Sequence, residues 1–320
     1  MKKKTVFSML AALVIGSLLM TTSCKKNKEF NNENGQTSED NNNIQSQRDQ
    51  AVNDANTAIG NYTSMSGRSY VQLPAVLSTI CGATVDTTGM YQGTIKINYD
   101  GTVCSNRKRE GSIRLTILNY ASGIRWKDAG CVLKVDYLSY KVTRASDGKS
   151  IQFDGTHMVT NVSGGTWWDL FTGTKSSLVT TVTSNGGLTA TFENGQTATC
   201  NLNRKFTYTW GNNILTCKGE GTGSYNGLSN LENYGKTRDG DDFTSQVTTP
   251  VIWNTTCGAW APIQGEVNIV VASKSFNLDG TFGVDASGNP VMVGANQCPY
   301  GWKLYWKYKN KSKTKIFVYL

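Results

Sequence analysis

The residues with the widest chemical scope are eight cysteines and one histidine. Both types serve as metal ligands, nucleophiles or proton carriers, so their spacing decides which chemistry is open. No C-x-x-C occurs and His157 is the sole imidazole, so zinc lacks a ligand set and no metal site is expected. A nucleophile–His–acid triad would need His157, in FDGTHMVT. Strand alternation puts Phe153, Gly155, His157 and Val159 on one face, and no G-x-S-x-G accompanies them, so a packed sheet histidine is expected. Carboxylate pairs for glycoside hydrolysis come from distant strands, and nothing in their spacing marks Asp136, Glu193, Glu220 or Glu266. Asp239, Asp241 and Asp242 in TRDGDDF offer oxygens for calcium without the spacing of a calcium loop, and read as a solvated turn. No glycine loop of nucleotide-binding type is present. The expectation is a protein with no cofactor and no catalytic residues.

Compartment decides how the cysteines are read. Lys2, Lys3 and Lys4 precede an apolar run, VFSMLAALVIGSLLM, and then TTSC ending at Cys24. This is a targeting segment, residues 1–23, to be set apart from the fold. Its ending resembles a bacterial lipoprotein signal, although Thr21 stands where such signals more often carry an aliphatic residue. The resemblance implies cleavage before Cys24, acylation there with palmitate-type chains, and a membrane as partner through that anchor. The alternative is an ordinary secretory signal. The formal charge of +9 includes those three lysines, and what remains is modest and concentrated in the tail. Nucleic acid is therefore not an expected partner.

Exported cysteines read first as disulfides. Residues 80–97, ICGATVDTTGMYQGTIKI, are echoed by TCGAWAPIQGEVNI at 256–269. Each copy has Cys-Gly-Ala, then Gln-Gly-x-(Ile/Val)-x-Ile, and each is followed by another cysteine. If the units at 81–104 and 257–298 are equivalent, the bridges are Cys81–Cys104 and Cys257–Cys298. A chance likeness of two short stretches is the other explanation. Cys131, Cys200 and Cys217 remain over. A symmetric hairpin about residues 211–213 sets Cys217 opposite Thr207, so Cys200 and Cys217 are not paired.

The elements that must position these groups are strands. Residues 24–46 are Asn-rich and read as a flexible tether, while 47–78 hold a short helix near 47–60 and a lead-in. From residue 79 to 320 the chain reads as a β-rich body. In GTIKINY and GSIRLTI apolar and polar residues alternate, giving two arms of a hairpin joined by residues 100–110. Further strands are predicted at 132–143, 150–162, 178–183, 188–193, 197–210, 214–222, 243–253, 265–272 and 275–282. Abundant Gly, with Asp-Gly and Asn-Gly pairs at 100, 147, 194 and 279, punctuates them. The fold class is all-β, an antiparallel meander or sandwich of many short strands.

The tail WKLYWKYKNKSKTKIFVYL reads as a hairpin turning near Lys311. That centre sets Trp306 opposite Ile316 and Leu304 opposite Val318 on an apolar face. The other face carries Lys303, Tyr305, Lys307, Lys315, Phe317 and Tyr319, with Lys307 opposed to Lys315. Opposed like charges are unfavourable, so this face is a candidate for an anionic surface or glycan, or else edge protection. Trp167 and Trp168, as strand neighbours facing opposite sides, supply a second candidate: an exposed ring able to stack on a sugar.

One longer fingerprint extends these signals. NYDGTVCSNRKREGSIRLTI resembles a motif of uncharacterised exported lipoproteins of Bacteroidota, through Tyr99, Gly101, Thr102, Cys104, Arg107, Arg109, Gly111 and Ile113. FENGQTATCNLNRKFTYTW and GEGTGSYNG resemble the same family. The resemblance implies a β-rich body in the cell envelope, outer membrane included, and supplies no activity. The function expected is that of a lipid-anchored envelope protein with a structural or adhesive role. Surface glycan binding is the alternative, and a glycoside hydrolase comes third.

Overall fold

The computed structural model describes residues 25–68, 79–184, 187–258, 261–291, 297–308 and 311–319. Cys24 and the expected leader lie outside them. The chain divides into two compact units between Asn41 and Asn42. The first holds the opening turns of helix α1 (Lys25–Gly60), where Gln36 Nε2 donates to Asp40 Oδ1 at 2.8 Å. Among the described residues the second holds the rest of α1, two short helices, α2 (Thr63–Ser66) and α3 (Trp167–Phe171), and the strands.

Among the described residues β1 (Ala83–Asp86) leads to the hairpin β2 (Thr94–Cys104) and β3 (Arg107–Ile117), then to β4 (Cys131–Arg144) and β5 (Ser150–Asn161). Next come β6 (Leu178–Thr183), β7 (Leu188–Phe192), β8 (Thr197–Gly211), β9 (Ile214–Gly221), β10 (Gly223–Tyr225) and β11 (Leu228–Lys236). The set closes with β12 (Asp242–Asn254), β13 (Gln264–Val271), β14 (Phe276–Val284), β15 (Gly301–Tyr308) and β16 (Lys311–Val318). They form one 16-stranded antiparallel sheet that runs largely in chain order, with β1 and β16 at its two ends. β7 bridges β5 and β8 alongside β6, and β9 bridges β8 and β12 alongside β11. The all-β, antiparallel architecture expected from the alternation is what the chain adopts.

Alternation also explains the core. Ile95, Ile97 and Tyr99 on β2, Ile113, Leu115 and Ile117 on β3, and Leu133, Val135 and Tyr137 on β4 are all buried, while Lys96, Asn98 and Arg114 between them are not. A single layer that buries one face along its length must curl over something. From β2 to β11 the cover is α1. Its Ala51, Ala55, Ala58 and Ile59 are fully buried, and its polar residues are tied to Tyr99, Arg109, Arg204 and Glu232 on the strands.

One irregularity shapes this interior. Between Ser112↔Leu138 and Glu110↔Lys141, β4 carries an extra residue, with Ser139 at a φ of 51°. The bulge turns both Tyr137 and Tyr140 inward, their ring centroids 5.8 Å apart. Gly111 lies across from it at a φ of 81°, and a Cβ there would meet the Ser139 carbonyl oxygen at 2.1 Å. Only glycine fits.

Two sequence expectations are corrected. Helix α1 starts at Lys25, not near residue 47, so residues 25–46 are helical where a tether was expected. Within the second unit Ile44 is buried and Gln45 Nε2 donates to Glu232 Oε1 at 2.5 Å. A polar segment can pack when its partners are polar, which a count of apolar anchors overlooks. The connection between β2 and β3 is also shorter than residues 100–110. Ser105 and Asn106, at φ 49° and 61°, make a tight two-residue turn, and both strands continue up to it.

Candidate functional site

Both expected bridges are present: Cys81 pairs with Cys104 and Cys257 with Cys298. The segments they pin are nonetheless built differently. Cys104 ends β2, the strand that begins just after Gln92-Gly93. Cys298 instead lies beyond β14, one strand past β13 with its Gln264-Gly265. Cys131 and Cys200 are free and buried, and Cys217 is free and half-buried. Burial pushes the Cys131 thiol up to about 12 and raises that of Cys200, so neither is an activated nucleophile. Cys217 faces Tyr208, one residue from the expected register, because the β8–β9 turn is the pair Asn212-Asn213.

His157 is fully buried on the inner face of β5, its ring 5.4 Å from that of Tyr137. Neither ring nitrogen has a hydrogen-bond partner. Burial, with the Arg48 charge beside it, lowers its pKa to about 3 against the pull of Asp136, so it is neutral. Arg48 of α1 is buried too, and its guanidinium makes no hydrogen bond. Burial lowers its pKa against the pull of Cys200 and Asp49. Arg204, also interior, fares differently. Arg204 Nη1 donates to both Asp49 oxygens at 2.7 and 2.8 Å, and Nε stands 3.5 Å from Glu232. Burial alone would lower the Arg204 pKa, but these carboxylates carry it above its ordinary value.

The tail hairpin forms in another register. Tyr308 pairs with Lys311, Trp306 with Lys313, Leu304 with Lys315 and Trp302 with Phe317. The shift relative to the expected pairing is an odd number of residues, so every side chain of β16 changes face. A two-residue connection is the favoured hairpin loop, and matching apolar faces had implied a looser one. Lys303, Tyr305 and Lys307 therefore lie on one side, while Lys315, Phe317 and Tyr319 lie on the other, with Trp302, Leu304 and Trp306. The expected cationic face is split. Lys313 Nζ sits 5.8 Å from the Trp306 ring and Lys315 Nζ 4.4 Å from Phe317. The Phe317 ring stacks on Trp302 at 4.4 Å, and Tyr319 Oη accepts from Gly283 N at 3.4 Å.

The tryptophan pair is corrected as well. Trp167 and Trp168 open α3 instead of sitting in a strand, because Thr166 and Asp169 form a capping box. Both are half-buried, Trp167 beside Tyr208, and line a narrow crevice with Trp126, Asn161 and Arg68. Among the described residues no tryptophan is exposed. The candidate carboxylates are not brought together either. Asp136 is held by Arg114, Lys134 and Thr156, Glu220 by Lys205 and Lys218, and Glu266 by Thr249. Glu193 is exposed between β7 and β8. Asp239 and Asp241 contact Lys274, and Asp242 contacts Lys236, so lysines meet the charge that calcium would have met.

What does form a site is a polar pocket of about 260 Å³ beside the Cys81–Cys104 bridge. Ser46, Gln50, Asn53 and Thr57 line it from α1 at spacings of one helical turn, joined by Arg107 and Arg109 from β3. Arg109 Nη1 meets Asp54 Oδ2 at 2.5 Å, and Nη2 donates to the Cys81 carbonyl at 2.9 Å. Asp54 also accepts from Tyr99 Oη at 2.6 Å and Gln50 Nε2 at 2.8 Å. Sequence reasoning missed this pocket; the polar spacing at 46, 50, 53 and 57 is the signal that points to its helix wall, and nothing local points to the partner strand. No protein-family model, curated protein or solved structure matches this chain.

Proposed function

We propose that this chain is a lipid-anchored, non-catalytic protein of the cell envelope, tethered through acylated Cys24 and acting in a structural or adhesive role. The observation that supports the reading best is how the sheet is filled. Its inner face from β2 to β11, where a curved sheet would accept a ligand, is occupied by the protein's own helix and fastened there by Asp54–Arg109 and Asp49–Arg204. Contacts with other molecules then fall to the outside and the rims. The separate ties of Asp136, Glu220 and Glu266 give glycoside hydrolysis no support. Glycan stacking on Trp167 and Trp168 loses its motive, since both are packed in a crevice.

The test is labelled-palmitate incorporation with envelope fractionation, comparing the chain with Cys24→Ser, and detergent sensitivity of cells lacking the gene. Label at Cys24, envelope sedimentation lost in the variant, and sensitised cells are the expected results. An unacylated, freely soluble chain would remove the anchor, and turnover of a glycan panel would remove the non-catalytic role.

A further inference from the structure

The pocket beside Cys81–Cys104 carries more positive charge than its own residues balance. Arg107 and Arg144 are direct partners across β3 and β4, an arrangement that like charges disfavour. Arg144 is satisfied by Asp147, through Nε at 2.8 Å and Nη2 at 2.6 Å. Arg109 is satisfied by Asp54. Arg107 is half-buried and lines the pocket, and its side chain has no hydrogen bond or salt bridge with any described residue. Three guanidinium groups thus meet two carboxylates, and the surplus falls on Arg107.

Amides and hydroxyls line much of the remaining wall, Ser46, Gln47, Gln50 and Asn53 from the helix and Ser105 from the turn, beside Ile80 and the Cys81–Cys104 bridge. Such groups both donate and accept, which suits a ligand rich in hydroxyls. Among the described residues no aromatic ring lines the pocket, so the ligand would be oriented by hydrogen bonds. The volume, about 260 Å³, lies below the roughly 300–1,000 Å³ of sites for drug-sized molecules, which leaves room for one sugar ring and not a chain. One wall is pinned by the disulfide, and the helix is tied to the other through Asp54.

We propose that this pocket binds an anionic monosaccharide, with Arg107 taking the carboxylate or phosphate group and the helix amides and hydroxyls taking the ring hydroxyls. A guanidinium suits either anion because its paired N–H groups match two oxygens at once. The site is independent of the anchor at Cys24 and of what the outer face contacts.

Calorimetric titration of the full chain with glucuronate, glucose 6-phosphate, neutral glucose and inorganic phosphate tests this. At least one charged sugar is expected to bind tenfold or more tightly than both glucose and phosphate, and which one identifies the anion. Arg107→Gln should abolish that preference with an unchanged or higher melting temperature, since it relieves the contact with Arg144. Asn53→Leu, on the helix wall, should weaken charged-sugar binding while Arg107 remains. No binding by either charged sugar, phosphate binding as tightly as the sugars, or equal binding by Arg107→Gln would each overturn the proposal.

Discussion

Asp54 on the helix and Arg109 on β3 meet at 2.5 Å with side chains only 6% and 10% exposed. The guanidinium also holds the Cys81 carbonyl, so a single side chain joins helix, sheet and disulfide. Breaking a buried pair by removing one partner typically costs about 3–5 kcal/mol, because the other charge is left stranded. Arg109→Met should lower stability by that amount in urea titrations. Combining it with Asp54→Leu should recover a large part of the loss. A single variant as stable as the parent would show that the pair does not hold the helix.

His157 makes stability depend on pH. Its folded pKa, about 3, lies below the ordinary 6.5, so below pH 6.5 the unfolded chain binds a proton that the folded chain refuses. Its contribution is fully present above pH 6.5 and drains away as pH falls toward 3. From pH 6.5 to 4.5 that amounts to about 2–3 kcal/mol, at roughly 1.4 kcal/mol per unit. The difference in stability between the parent and His157→Phe should therefore shift by this amount across the range. A constant difference would mean that the ring takes up its proton without unfolding.

The two bridges close loops of 23 and 41 residues. Chain entropy predicts about 3–4 kcal/mol from each, the longer loop giving slightly more. Replacing Cys257 and Cys298 together by serine should cost about 4 kcal/mol, and reduction of the parent, which opens both bridges, about 7 kcal/mol. Unchanged denaturation midpoints after reduction would contradict this.

Gly111→Ala should be severe for its size. The added methyl meets the Ser139 carbonyl at 2.1 Å, on a backbone that is already left-handed. A loss of at least about 2–3 kcal/mol is expected in thermal or urea unfolding, more than a glycine-to-alanine change gives on an exposed strand. A neutral outcome would mean that the bulge at Leu138 and Ser139 can relax.

The strands were legible because they alternate. GTIKINY and GSIRLTI place isoleucines and leucine at every second position, and one buried face is the only use for such a pattern. Alternation fails where the backbone inserts a residue. In VLKVDYLSYKVT nothing marks Ser139 as a bulge, yet it decides that Tyr137 and Tyr140 share a face. The tail differs for a related reason: two registers of WKLYWKYKNKSKTKIFVYL are an odd step apart, and the one adopted, with Tyr308 opposite Lys311, is not the one that matches the apolar faces. Trp167 and Trp168 were misplaced because Thr166 and Asp169 cap a helix only five residues long. The pocket needed long-range information, since no local spacing says that Asn53 faces Arg107.

The order in which the pieces appear along the chain has a consequence for assembly. The segment that fills the sheet is made before any of the strands around it, and its partners lie 55, 155 and 187 residues further on at Arg109, Arg204 and Glu232. Contacts that distant make folding slow, and the full set of ties around the helix cannot form until Glu232 has been synthesised. Until then Arg48, Asp49 and Asp54 keep that helix hydrated. The helix therefore waits in solvent while the sheet that will enclose it is still being made.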